Sequence, residues 1–206
     1  MREADHRIAN NLAVVASLVR SEAKRFASDA PVPASEVRST LASISTRIDS
    51  ISRLHRLIRH SASGAQVNVA DYLHEVTDAT ISSIDPGNQI LFELTPEVVV
   101  APKLAAAIGL FVCEAFTNAV KYAHPSGVAG KIWISCEIAG DRLQVAVTDD
   151  GVGLPENFDP QAATSNGFVV MKALTDQAGG TMRVANSGLG LSVRMILPLS
   201  ASAGIA

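Results

Sequence analysis

The stretch FVCEAFTNAVKYAHP, residues 111 to 125, decides how this chain folds. It closes a helical run that begins near Leu104, and apolar residues surround most of that helix. Three polar residues, Glu114, Asn118 and Lys121, nevertheless lie at i, i+4 and i+7, so they form one stripe along it. Buried polar groups are costly without partners, so the stripe should face an internal network, a wet groove or a bound ligand.

A second polar position interrupts an apolar row further along the chain. Counting by two along a predicted strand from Val147 places Asp149 at the end of a row that faces the core. A carboxylate at that position needs a hydrogen-bond donor. Gly151 and Gly153 follow at once, as they would where the backbone approaches a ligand closely or takes a positive φ.

The first 60 residues have the pattern of two amphipathic helices. Apolar residues recur at helical spacing over residues 4–27, prolines and polar residues interrupt them, and a strict four-three alternation follows over residues 34–60. A helical hairpin has only half a core. We therefore expect residues 1–62 to pair with a second copy as a two-fold four-helix bundle.

His6 lies away from the apolar stripe of the first predicted helix. It precedes Ile8 by two residues, which places the two about 200° apart on a helix with 3.6 residues per turn. The imidazole should therefore face water, with Asn10 about one turn further on. An exposed histidine near a chain start usually has no function, so any role for His6 depends on the sequence around it.

The remainder of the chain, residues 66–201, alternates predicted helices and strands. In order, these are a helix at 69–84, strands at 89–94 and 97–100, the central helix, a strand pair turning at Gly140 and Asp141, a helix from Gly167 to about Ala178, and strands at 181–186 and 191–197. The expected fold is α+β, an α/β sandwich with a mixed, mostly antiparallel sheet that follows the helical hairpin.

Three motifs resemble those of histidine kinases. EAFTNAVKYA at 114–123 resembles the N box of the ATP-binding superfamily that joins histidine kinases to gyrase-type and mismatch-repair ATPases. DDGVG at 149–153 resembles the G1 box of the same superfamily, and HRIANNL at 6–12 resembles the phosphoacceptor box of HWE-type histidine kinases and their close relatives. The resemblance implies that residues 1–62 carry the phosphoacceptor and that residues 66–201 bind ATP.

The same resemblance implies roles for individual residues. Asn118 would ligand Mg²⁺, Glu114 would order the metal's water shell, Lys121 would meet phosphate, Tyr122 would line the nucleotide site, and Asp149 would read the adenine amine, with Gly151 and Gly153 beside it. Gly167 opens a helix whose N–H groups could meet phosphate. His6 would be the phosphoacceptor, with Asn10 as a neighbour.

The sequence departs from the family pattern near both later glycine motifs. Residues 165–168, SNGF, keep one clear glycine where the family has Gly-Leu-Gly-Leu, and Gly190-Leu191 stands where the family often has Gly-Thr. Both changes could weaken ATP binding. Two functions therefore stay open. A kinase would autophosphorylate His6 from ATP and pass the phosphoryl group to a response regulator, whereas a phosphotransferase would relay it between receiver domains without ATP.

Composition and charge set the remaining expectations. With 48% hydrophobic and 18% charged residues the chain should be globular, and Cys113 and Cys136 lie in apolar patterns that suit reduced core thiols. Residues 1–64 carry 10 basic and 6 acidic side chains (+4) and residues 65–206 carry 7 and 14 (−7), without the aromatic interleaving of a nucleic-acid groove. Lacking an apolar signal core or membrane span, the protein should be cytoplasmic. The helical hairpin predicts a homodimer, and the resemblance to histidine kinases implies a receiver domain as the partner.

Overall fold

The computed structural model describes residues 66–84, 88–126, 128–155, 166–188, 190–199 and 204–205, together with scattered positions between 32 and 52. The described positions from 34 to 52 are helical, which agrees with the predicted helix at 34–60. His6, Asn10 and the predicted helix at 4–27 lie outside the described residues.

Helices and strands alternate through the described part of the chain much as predicted. In order they are β1 (Val67–Asn68), α1 (Val69–Ile84), β2 (Gln89–Leu94), β3 (Val98–Val100), α2 (Pro102–Tyr122), β4 (Lys131–Ala139), β5 (Arg142–Asp149), α3 (Asn166–Gln177), β6 (Thr181–Asn186), β7 (Leu191–Pro198) and β8 (Gly204–Ile205). The bounds of α1, β2 and β6 are those expected from the sequence, and Gly140 takes a φ of 62° in the turn between β4 and β5.

Five strands form the main sheet, in the order β2-β4-β5-β7-β6. β2 runs parallel to β4, and the other neighbours are antiparallel, so the expected mixed, mostly antiparallel sheet is confirmed. A second, small sheet has the order β1-β3-β8. The sequence did not predict β1 or β8, because strands of two residues are too short to show an alternating pattern.

Helix α2 is the centre of the fold. It packs against α1 and α3 and against β4, β5 and β7, and twelve of its residues are buried. Within the described residues it is the one helix whose length and composition would allow it to cross a membrane, but 67% of its apolar window is buried inside the fold, as in a core helix. The hydrophobic core therefore lies between α2 and the inner face of the main sheet.

The inner face of the sheet carries the apolar rows expected from the alternation. On β4 and β5 the rows are Ile132, Ile134 and Cys136, and Leu143, Val145 and Val147, all buried. Burial, aided by the adjacent Glu137 carboxylate, raises the pKa of Cys136 to about 12. Cys113 on α2 is also buried, so both thiols belong to the core, as the sequence predicted.

Candidate functional site

The polar stripe of α2 runs from the core to the surface. Glu114 is buried with 5% of its surface exposed, Asn118 one turn later is half-buried, and Lys121 at the end of the helix is exposed. Tyr122, the last residue of α2, is 66% exposed. The amide of Asn118 and the ammonium of Lys121 therefore lie where a bound ligand could contact them, whereas Glu114 lies in the core.

Asp149 lies at the end of the inner row of β5, as predicted. It pairs in register with Ile132 of β4, and only 5% of its surface is exposed. Its Oδ1 atom accepts hydrogen bonds from the N–H of Gly151 at 3.0 Å and the N–H of Leu191 at 3.2 Å. These bonds fix the orientation of the carboxylate, and since a carboxylate can accept about four hydrogen bonds, it keeps the capacity to accept from a ligand.

Two glycines allow the backbone around Asp149 to pack closely. A Cβ atom on Gly151 would overlap the backbone of Ala123, just after α2, where the N–H of Val152 donates to the Ala123 carbonyl at 2.9 Å. A Cβ atom on Gly190 would overlap the carbonyl oxygen of Asp149. The absence of a side chain at Gly151 therefore lets the segment after β5 pack against the end of α2. The absence of a side chain at Gly190 lets the same region pack against the start of β7.

Gly167 lies against Asn118. A Cβ atom at residue 167 would lie 2.9 Å from Nδ2 and 3.2 Å from Oδ1 of Asn118, so the glycine leaves the amide uncovered. Gly167 is the second residue of α3, so the N-terminus of that helix lies next to the amide. A helix N-terminus presents unpaired N–H groups and a partial positive charge, which together favour an anion. The structure thus brings together two residues that the sequence linked only by resemblance.

Sequence reasoning missed a side-chain hydrogen bond at the edge of this site. Nε2 of His124 lies 2.8 Å from Oδ1 of Asp150, and the N–H of Lys131 donates to the same oxygen at 2.8 Å. Burial alone would raise the pKa of Asp150, but the hydrogen bonds from Lys131 and His124 outweigh it and hold that pKa below its ordinary value. The contribution of this carboxylate to stability is therefore present above its ordinary pKa and is lost only as the pH falls through the lowered one.

A second missed contact involves Asn186, the last residue of β6. Its Oδ1 accepts from the N–H of Leu154 at 2.8 Å, and its Nδ2 donates to the carbonyl of Leu154 at 3.1 Å. Gly153, the residue before Leu154, has a φ of 67°. The only sequence signal was a polar residue at the end of a strand, which does not by itself indicate a partner 32 residues away.

Matches to two family models cover most of the chain. Residues 3–84 match the model described as histidine kinase, and residues 77–197 match the one described as histidine kinase-like ATPase domain. The chain belongs to the histidine kinase family. Its two parts have the order of a sensor histidine kinase catalytic core.

Curated relatives include two sensor proteins. The chain is 28% identical to "Blue-light-activated histidine kinase 2" of Erythrobacter litoralis, a match that covers 97% of this chain and 57% of the relative. It is 29% identical to "Sensor histidine kinase PdtaS" of Mycobacterium tuberculosis, over 84% of this chain and 34% of the relative. The chain thus spans between a third and three-fifths of the length of these relatives.

Solved structures share the fold. The blue-light-activated histidine kinase EL346 of Erythrobacter litoralis superposes with a TM-score of 0.74 at 26% identity, over 97% of this chain and 58% of that one. Its histidine kinase domain alone gives a TM-score of 0.69, over 81% of this chain and 84% of that one. The catalytic domain of ThkA, at 20% identity and a TM-score of 0.52, supports the fold alone.

The donor groups at the site fit a magnesium nucleotide. The amide oxygen of Asn118 and the carboxylate of Glu114 are hard oxygen donors, which Mg²⁺ prefers. Within the described part of the chain, no group of three or more His, Cys, Asp or Glu could hold a metal. Mg²⁺ is ordinarily held by one or two side chains together with phosphates and water, so the small number of protein donors is compatible with it.

We expect Gly190→Ala to disrupt the site while Gly188→Ala spares it. The added methyl at 190 would overlap the Asp149 carbonyl and should displace the carboxylate, weakening nucleotide binding by about tenfold or more. Gly188 has a φ of 72° and open space around it, so its replacement should cost only about 1 kcal/mol of stability. Calorimetric titration with ATP would check both, and affinity within twofold of wild type for Gly190→Ala would contradict the close packing described above.

Proposed function

We propose that this protein is an ATP-dependent protein-histidine kinase of a two-component system. It phosphorylates His6 from ATP and passes the phosphoryl group to an aspartate in the receiver domain of a response regulator. The observation that carries the proposal is the buried carboxylate of Asp149, oriented by two backbone N–H groups at the edge of the site. The family match to an ATPase-type domain supports ATP as the nucleotide.

The nucleotide would lie along the face shared by the segment after β5, the polar stripe of α2 and the start of α3. Asp149 would accept a hydrogen bond from the exocyclic amine of adenine, a contact that a guanine carbonyl could not make. Asn118 would bind Mg²⁺, and Glu114 would order the water shell of the metal. Asn118 is half-buried and Lys121 is exposed, so the Lys121 ammonium would be accessible to the phosphates. Bound Mg²⁺ would neutralise charge that develops on the phosphates.

The chemistry needs a neutral, accessible imidazole at His6. A ring nitrogen of His6 attacks the γ-phosphorus in line, a P–N bond forms, the P–O bond to ADP breaks and ADP leaves. The phosphoryl group then passes from the nitrogen to a carboxylate oxygen of the receiver. Asn10, about one turn from His6 on the predicted helix, would hydrogen-bond the ring. The reaction as a whole would take place in the cytoplasm.

Phosphoryl relay without ATP is the competing function, and the site geometry disfavours it. A docking domain that had lost ATP would have no need of a glycine at 167 that leaves the Asn118 amide uncovered, or of a buried carboxylate at Asp149 oriented by two backbone N–H groups. The replacement of the family's Gly-Thr pair by Gly190-Leu191 should also weaken ATP binding less than the sequence suggested. Gly190 permits close packing, and the backbone N–H of Leu191, which any residue but proline would supply, holds Asp149.

Two substitutions should separate metal binding from base reading. Asn118→Ala should weaken Mg-ATP binding about tenfold or more but leave metal-free nucleotide nearly unaffected, because the lost group binds the metal. Asp149→Asn should erode the preference for ATP over GTP, because its amide can donate to a guanine carbonyl. Asp141→Asn, at an exposed turn, is the control and should change neither. Calorimetry that finds no nucleotide binding by the wild type would favour the relay.

His6 should carry the phosphoryl group. Incubation with γ-labelled ATP, followed by peptide mapping at neutral or alkaline pH, should locate the acid-labile label on His6, and His6→Ala should abolish it. His74→Ala serves as the matched control, since His74 is exposed on α1 and stacks on Phe92 outside the site. Persistent labelling of His6→Ala would place the chemistry elsewhere.

A dimer should form through the helical hairpin. In the described part of the second helix, Leu41 is 60% exposed and Ile48 38% exposed, which leaves apolar surface without cover in a single chain. Leu41→Asp with Ile48→Asp should therefore give a monomeric mass by light scattering, whereas Val128→Asp, an exposed loop position, should not. A wild-type protein that is monomeric at micromolar concentration would refute this assembly.

A further inference from the structure

The segment from Asp149 to Leu154 is tied to the rest of the domain at both ends by side chains. At its start, the Asp150 carboxylate accepts from His124, just after α2, and from the backbone of Lys131, the first residue of β4. At its end, Leu154 is held through both its N–H and its C=O by Asn186 of β6. None of these partners lies on the segment itself.

The His124 contact depends on a glycine packed against it. A Cβ atom on Gly130 would overlap Nε2 of His124 and lie 2.6 Å from Oδ1 of Asp150, so this hydrogen bond can form only because residue 130 has no side chain. Gly130 is itself fixed, since its N–H donates to Asn88 Oδ1 at 2.9 Å. The side chains of His124 and Asp150 are 24% and 26% exposed, so water screens their interaction only in part. The contact therefore depends on a specific arrangement of His124, Asp150 and Gly130, and it is not an incidental surface pair.

The Asn186 contact resembles a short piece of strand pairing. A side-chain amide that donates to and accepts from one residue replaces the two hydrogen bonds of a strand neighbour. It holds the chain immediately after Gly153, whose positive φ turns the backbone, and a Cβ atom on Gly153 would lie 2.8 Å from Asn186 Oδ1. Asn186 therefore fixes the exit of the segment after its turn.

We propose that His124 and Asn186 are positioning residues for the segment from Asp149 to Leu154, whose Asp149 carboxylate would bind the nucleotide base. His124, just after α2, holds the start of the segment through Asp150, the residue next to Asp149. Asn186 holds the other end of that segment, so the Asp149 carboxylate is fixed before nucleotide arrives. Preorganisation of this kind improves affinity because less ordering has to occur on binding. The inference rests on the proposed function for its ligand but not for its geometry.

The effect should fall on nucleotide affinity rather than on the chemical step. His124→Leu, which keeps the bulk and loses the donor, and Asn186→Leu should each weaken ATP, ADP and adenosine binding by about tenfold. The loss should be similar for all three ligands and independent of Mg²⁺, because base reading and not phosphate binding is disturbed. In kinase assays the KM for ATP should rise while kcat at saturating ATP changes little.

A rescue variant and a matched control separate positioning from general stability. His124→Gln places an amide nitrogen near the position of Nε2 and should restore affinity to within about threefold of wild type. Arg194→Leu removes a comparable part-buried hydrogen bond, the 2.9 Å contact to Gln144 on β5, and should lower the melting temperature without changing affinity. A wild-type affinity for His124→Leu and Asn186→Leu, measured well below their melting temperatures, would overturn the proposal.

Hydrogen exchange tests the geometry without nucleotide. The N–H groups of Gly151 and Leu191 donate hydrogen bonds to the Asp149 carboxylate. Their hydrogen exchange in the nucleotide-free protein should therefore accelerate several-fold in His124→Leu and in Asn186→Leu. In Arg194→Leu it should stay unchanged. Unchanged exchange in the first two variants would also overturn the proposal. If the wild type bound no nucleotide, the kinase assignment would fail, and accelerated exchange would still support the positioning roles.

Discussion

The site depends on one interaction, the pair of hydrogen bonds that fixes the Asp149 carboxylate. A charge that is almost fully buried is unfavourable unless neighbouring groups solvate it, and two backbone N–H groups do so here. The donors come from Gly151, two residues away, and Leu191, on the neighbouring strand β7. The orientation of Asp149 therefore depends on the pairing of β5 with β7 and on the small residues that let the backbones approach.

Helix α2 connects this carboxylate to the polar stripe of Glu114, Asn118 and Lys121. Its apolar residues anchor it in the core, and its polar stripe emerges where the helix ends beside the segment after β5. Because the helix is fixed along most of its length by packing, the backbone at Asn118 has little freedom relative to Asp149. The polar stripe and the Asp149 carboxylate are thus held by one packed core, and the contacts of His124 and Asn186 tie the segment from Asp149 to Leu154 to that core.

Much of this arrangement could be predicted from local patterns. The spacing of Glu114, Asn118 and Lys121 placed them on one side of a helix, and counting by two placed Asp149 on the inner face of a strand, as its pairing with Ile132 confirms. The glycine at 167 was linked to phosphate as the start of a predicted helix, whereas its contact with Asn118 came from the packing of α3 on α2. The parallel pairing of β2 with β4 also had no local signature, since β3 and α2 separate the two strands.

The sequence by itself determined the elements, the faces of those elements and the residue types that suit a magnesium nucleotide, because helical and strand periodicity are local properties of the chain. Only the tertiary structure decided which groups complete the site. His124 and Asp150 are 26 residues apart, and Asn186 and Leu154 are 32 apart, and no period relates either pair. Such contacts arise when strand pairing and helix packing bring distant residues together, and the absence of a side chain at Gly130, Gly151 and Gly190 leaves room for them.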